Sequence, residues 1–156
     1  MQTTNTDRIE EQVVLRQSRE RVWRALTDPD ELGAWFGVNL TGATIKPGAH
    51  VTGRMTIPSV AHVTFDVVIE EMVREQKFSW RWHPNALDTA VDYSKEQRTL
   101  VTFTLEDTAN GGTLVRVVES GFDAVPTQRR EAALLGNSNG WRSQLQKRLP
   151  AYLDKE

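Results

Sequence analysis

The stretch Pro126-TQRREAALLGNSNGWRSQLQKRLPAY-Leu153 decides the fold. Along it Leu134, Leu135, Trp141, Leu145, Leu149 and Tyr152 recur at helical spacing, interrupted by the small residues Gly136, Ser138 and Gly140. One long C-terminal helix is expected. Ahead of it lie at least five segments of strand-like alternation, so the expected object is a curved antiparallel sheet gripping a helix, with space for a guest between them.

Working back from the helix, Thr99 to Leu105 and Thr113 to Glu119, joined across Asn110-Gly111-Gly112, read as a hairpin. Val63, Phe65, Val67 and Ile69 form the cleanest period-two face, and Phe78, Trp80 and Trp82 continue it on the next strand. Val51 to Ile57 alternates too, after a turn at Lys46-Pro47-Gly48. Residues His83 to Arg98 show no sustained periodicity and form a connection of about fifteen residues, longer than a usual hairpin loop and of the kind that often carries function. Toward the N-terminus, Arg8 to Arg16 reads as a first strand with Ile9, Val13 and Leu15 on one side, although Glu11 breaks the series. Ser18 caps a short helix with Val22, Ala25 and Leu26 on one face. Asp28-Pro29-Asp30-Glu31 opens a second, which carries Leu32, Trp35 and Phe36 and ends at Gly37.

The 156 residues fit one domain, 1–156, long enough to bury roughly two-thirds of the unfolded surface. With 19 basic and 21 acidic side chains, net charge −2, there is no electrostatic case for nucleic acid or an anionic membrane. No apolar run approaches the roughly 20 residues that cross a bilayer, and Met1 to Asp7 is polar, so a soluble cytoplasmic protein is expected, monomer or homodimer. The absence of cysteine removes disulfides, thiolate nucleophiles and cysteine-ligated metal centres. His50, His62 and His83 lie on different segments without metal-ligand spacing, and no Gly-x-Ser-x-Gly elbow or phosphate-cradling loop occurs; no metal, no cofactor and no ATP use are expected. Arg129-Arg130 reads as a solvated pair at a helix start.

Taken together, Arg21-VWRALTDPDELGAW-Phe36, Asp92-Tyr-Ser-Lys-Glu96, Leu100-VTFT-Leu105, Glu119-Ser-Gly-Phe122 and Asn139-Gly-Trp141 resemble the domain at the C-terminus of activators of the heat-shock protein 90 ATPase. That domain belongs to the superfamily of START domains, aromatic polyketide cyclases and birch-pollen-type allergens, called SRPBCC. The resemblance implies an α+β helix-grip fold: a seven-stranded antiparallel sheet around a long C-terminal helix, with two short helices after the first strand. It also implies a central cavity for small apolar molecules, with a heat-shock chaperone as the alternative partner.

The aromatic set Trp35, Phe36, Phe65, Phe78, Trp80, Trp82, Phe103 and Trp141, with Leu145, reads either as cavity lining or as ordinary core. Gly136 and Gly140 permit close approach of helix and sheet, or leave room for a guest. Glu119 ends the last strand on the inward face. It reads as a rim carboxylate paired with Arg54, Arg81 or Arg116, or as an acid facing the cavity mouth that orients a ligand or acts as a general base. Asn137 and Ser138 offer one polar anchor or a packing role. The expected function is non-catalytic binding of a small hydrophobic or amphipathic ligand, with no catalytic residue assigned. The alternatives are a co-chaperone-like partner that modulates a chaperone ATPase, and a cyclase- or hydrolase-type enzyme using the same pocket.

Overall fold

Caps set the first turns of chain, as their residues require. In the computed structural model, which describes residues 7–155, strand β1 (Arg8–Leu15) leads into α1 (Arg19–Thr27), whose N-cap Ser18 accepts from Arg21 N at 3.3 Å. Helix α2 (Pro29–Phe36) follows at once, with Asp28 accepting from Glu31 N at 3.0 Å and proline in the first turn. It stops at Gly37, where φ is +93° and a Cβ would sit 2.7 Å from the Ile57 side chain.

The remaining strands are β2 (Val38–Asn39), β3 (His50–Met55), β4 (Thr64–Val73), β5 (Lys77–Trp82), β6 (Thr99–Asp107) and β7 (Thr113–Ser120). They form one antiparallel seven-stranded sheet in the order β1-β7-β6-β5-β4-β3-β2. The start of the chain thus zips against its last strand, Arg8 opposite Ser120 and Leu15 opposite Thr113. A bulge between Ile69 and Glu71 interrupts the β4–β5 ladder and sharpens the local twist. Phe65, Val67, Ile69, Phe78, Trp80, Val101, Phe103, Val115 and Val117 are buried on the concave face, as alternation predicts.

Across that face runs the C-terminal helix, packed against β1 and α2. It is the one long helix expected, with a local change of winding. Helix α3 (Thr127–Ser143) passes into a π-helical turn, Gln144–Arg148, before α4 (Leu149–Leu153). The wider turn precedes Pro150, which lacks the N–H that would bond the Gln146 carbonyl. The buried row is Ala133, Trp141, Leu145, Leu149 and Leu153, in steps of four once Asn137 is included. Each such step overshoots a full α-turn by about 40°, and the π turn takes up part of the drift. Leu135, expected on this stripe, is instead 63% exposed, because the row runs through Ala133 and Asn137 on another side. No helix among the described residues is long and apolar enough to cross a membrane.

Candidate functional site

Most of the space between sheet and helix is filled by rings. Trp80 packs 5.2 Å from Phe103 and 5.6 Å from Phe78, and Trp141 lies 5.6 Å from Phe103, with Trp35 and Leu145 also sealed from solvent. The open volume lies to one side. A half-open cavity of about 740 Å³ is bordered by the start of β4 and the end of β5, by α3, and by the long connection 83–98. Of the residues singled out from sequence, Phe36, Phe65, Trp82 and Asn137 border this cavity, and Trp141 borders a small annexe of it. Trp35, Phe78, Trp80, Phe103, Leu145 and Glu119 do not. Neither glycine brings the helix against the sheet: a Cβ at Gly136 would lie 2.8 Å from Asn85 Oδ1 of the connection, and Gly140 faces open space at the cavity wall.

Behind the aromatic wall stands Glu119, fully buried. It is neither at the rim nor paired with arginine. Its Oε1 accepts from Trp141 Nε1 at 2.8 Å and Asn137 Nδ2 at 2.9 Å; its Oε2 accepts from Thr99 Oγ1 at 2.6 Å and Trp82 Nε1 at 2.7 Å. Four neutral donors occupy the carboxylate's acceptor directions, so no arginine is required to satisfy it. The side chain that sequence reading placed at the cavity mouth is therefore a bracket. It holds Trp82, Asn137 and Trp141 in fixed orientations at the cavity border and presents no oxygen to a guest.

The connection 83–98 is tied down at several points. Arg129 Nε donates to both Glu96 carboxylate oxygens at 3.0 and 3.2 Å, Nη1 donates to the Pro84 carbonyl at 2.8 Å, and the guanidinium stacks 4.7 Å from the Tyr93 ring. The solvated pair expected at Arg129-Arg130 is thus corrected. Arg129 clamps the connection, and Arg130 donates to the carbonyls of Asp123 and Val125. Two histidines serve the same segment, His62 Nε2 lying 3.1 Å from the Leu87 carbonyl and His83 Nε2 lying 3.0 Å from that of Glu96. His50 instead pairs with Asp66 at 2.8 Å. Among the described residues no group of side chains could hold a metal ion.

At the cavity edge, Arg98 Nη2 lies 3.2 Å from Asp66 Oδ1. Burial pushes the Asp66 carboxyl up, but the hydrogen bond from His50 and the charge of Arg98 together outweigh it and hold the group below its ordinary value. Sequence reading missed the cavity contributions of Met55, Val63, Leu87, Val91 and Tyr93. The available signal was Leu87 and Val91, the two aliphatic residues larger than alanine in the connection, proline aside.

Residues 16–154 match the profile of a family described as Activator of Hsp90 ATPase homolog 1-like protein. Among curated proteins none matches. Protein MLL2253 from Mesorhizobium loti is 27% identical, with TM-score 0.70 over 95% of this chain and 97% of its own. Protein Ms6760 from Mycobacterium smegmatis is 18% identical with TM-score 0.71, over 96% and 92%. DynU16, from the dynemicin biosynthetic locus, is 22% identical with TM-score 0.67 over 95% of this chain and 47% of its own. The last two likenesses carry the fold alone.

Proposed function

The chain belongs to the Activator of Hsp90 ATPase homolog 1-like family, and from that premise we propose that it binds a small hydrophobic or amphipathic molecule in the cavity beneath the connection 83–98. One observation carries this reading. The cavity of about 740 Å³ lies within the roughly 300–1,000 Å³ of small-molecule sites, and its walls join the rings of Phe36, Phe65 and Trp82 to many polar side chains, Asp66, Asp88, Glu96 and Arg98 among them, which suits an amphipathic guest better than a purely apolar one. Leu87 and Val91 border it while remaining 43% and 44% exposed, apolar surface that a guest would cover.

A broad panel of aromatic and aliphatic amphiphiles, screened by thermal unfolding and quenching of tryptophan emission, tests the proposal. A ligand at about one hundred times its Kd adds about 2.7 kcal/mol, which at this chain length raises Tm by roughly 5–10 °C. Gly140→Phe, whose ring would grow into the cavity, should abolish the shift. No shift and no quenching across the panel would overturn the reading.

The family's description favours a second reading, a partner that docks on a heat-shock chaperone and alters its ATPase rate. That reading expects a micromolar complex with the chaperone that survives Gly140→Phe. Absence of any complex at that concentration would remove it. The third reading, an acid–base enzyme built on Glu119, meets the geometry of a carboxylate already occupied by four donors.

A further inference from the structure

The charge on the cavity border is not balanced. Asp66, Asp88, Glu96 and Arg98 stand there. Arg98 Nη2 lies 3.2 Å from Asp66 Oδ1, and its Nη1 donates to the carbonyls of Asp66 and Arg81 at 3.3 and 3.5 Å, so this cation is spent within the wall itself. Asp66 also holds His50 at 2.8 Å. Glu96 is taken up by Arg129, whose Nε lies 3.0 and 3.2 Å from its two oxygens. Asp88 remains. Exposed at the lip of the cavity, it has no ion pair among the described residues, and its Oδ1 accepts the Ala90 N–H at 2.9 Å.

A second negative charge stands one side chain behind the wall. Glu119 is fully buried, and its hydrogen bonds come from Trp82, Thr99, Asn137 and Trp141, none of them a cation. Neutral donors satisfy the lone pairs but leave the net charge in place, and its field is little screened by the surrounding rings. Donation to an anion also drives electron density into the indole, which makes the face of the Trp82 ring more attractive to a cation. Trp82 is half-buried and borders the cavity in a corner with Phe36 and Phe65, whose ring centres lie 6.2 and 6.1 Å away.

We propose that the cavity selects a cationic amphiphile, an apolar body carrying an ammonium group, drawn by the unpaired Asp88 and by the charge of Glu119 acting through Trp82. The inference rests on the cavity reading and narrows it to amines. A carboxylate or phosphate head would meet the same two negative charges, and the one guanidinium on the border is already engaged with Asp66. An uncharged head gains from neither charge.

The experiment compares 1-naphthylmethylammonium, 1-naphthylmethanol and 1-naphthylacetate by titration calorimetry at neutral pH and low salt, on the parent protein, on Asp88→Asn and on Gly140→Phe. The ammonium should bind the parent about tenfold more tightly than the alcohol, and the carboxylate more weakly than either. Asp88→Asn keeps an acceptor for the Ala90 N–H and removes the charge, so the preference should fall by about twofold or more. Equal or tighter binding of the alcohol or the carboxylate to the parent, or an undiminished preference in Asp88→Asn, would overturn the proposal while leaving the cavity reading in place. Binding of the ammonium that survives Gly140→Phe would place it outside the cavity and overturn the proposal as well. If none of the three binds while other amphiphiles do, the cation preference falls; if nothing binds at all, both readings fall together. The parent comparison needs no variant, so a failure of either substitution to fold leaves the test intact.

Discussion

Glu119→Gln exchanges one oxygen for an NH2 group of nearly the same size in a fully buried site, and the neighbours decide its effect. On the Oε1 side the new N–H groups would face Trp141 Nε1 and Asn137 Nδ2, at 2.8 and 2.9 Å from the present oxygen. On the Oε2 side they would face Trp82 Nε1 and Thr99 Oγ1, at 2.7 and 2.6 Å. A threonine hydroxyl can turn and accept; an indole N–H cannot. Either orientation therefore strands at least one indole donor in the core, at about 1–3 kcal/mol, and lowers the surviving bonds from the charged class of about 1.5–3 to the neutral class of about 0.5–1.5 kcal/mol each. The expected total is about 3–5 kcal/mol, which at this chain length lowers Tm by roughly 10 °C. Urea unfolding followed by tryptophan emission and by far-ultraviolet circular dichroism reads it directly. A loss below about 1 kcal/mol would refute the claim that this carboxylate brackets the aromatic wall.

The neighbouring glycines should respond unequally. Gly140→Ala places its Cβ in open space and should stabilise the helix by up to about 1 kcal/mol, whereas the Cβ of Gly136→Ala must push the Asn85 carboxamide aside and should gain less; denaturant titration showing the larger gain at Gly136 would contradict the geometry. Arg129→Met removes the bonds to Glu96 and Pro84, so amide exchange within residues 84–96 should accelerate about tenfold or more while the central strands keep their protection; unchanged exchange would show that the clamp is idle. For Asp66, whose folded-state pKa lies below its ordinary value, the associated stability is present above about pH 4 and is lost as pH falls through the folded value. Asp66→Asn should remove that part of the acid limb of a Tm-against-pH curve, by well under about 1 kcal/mol because the side chain is 43% exposed; an identical acid limb would count against the pairing.

Local chemistry wrote the fold into the chain at nearly every junction. Ser18, Asp28-Pro29 and Gly37 bound the two short helices where caps and a left-handed turn require them, and alternation at Phe65, Val67 and Ile69 names the inner face of β4. The site was less legible, because whether a ring borders space or another ring depends on elements far apart in sequence. Trp80 and Trp82 share one face of one strand; Trp80 is walled in by Phe103, Phe78 and Trp141, while Trp82 reaches the cavity only because the connection beyond His83 arches over it. Alternation marks Glu119 as inward-facing, and the structure agrees, but it meets neither an arginine at the rim nor the cavity mouth. Alternation fixes the direction of a side chain, but its partners, two indoles, an amide and a hydroxyl, arrive from three other elements. Asn137, the polar member of an otherwise apolar every-fourth row, was the plainest hint in the sequence.

The cover and the floor of the cavity are held by different physics. Guanidinium, carboxylate, imidazole and carbonyl groups fasten segment 83–98, while indole and phenyl rings form the base beneath it. Electrolyte weakens the first kind of attachment by shielding charge, and sulfate-type salts strengthen the second by raising the cost of exposing hydrocarbon. An uncharged occupant would consequently leave faster in concentrated sodium chloride although its own contacts carry no charge, and ammonium sulfate at equal ionic strength would restore much of its dwell time.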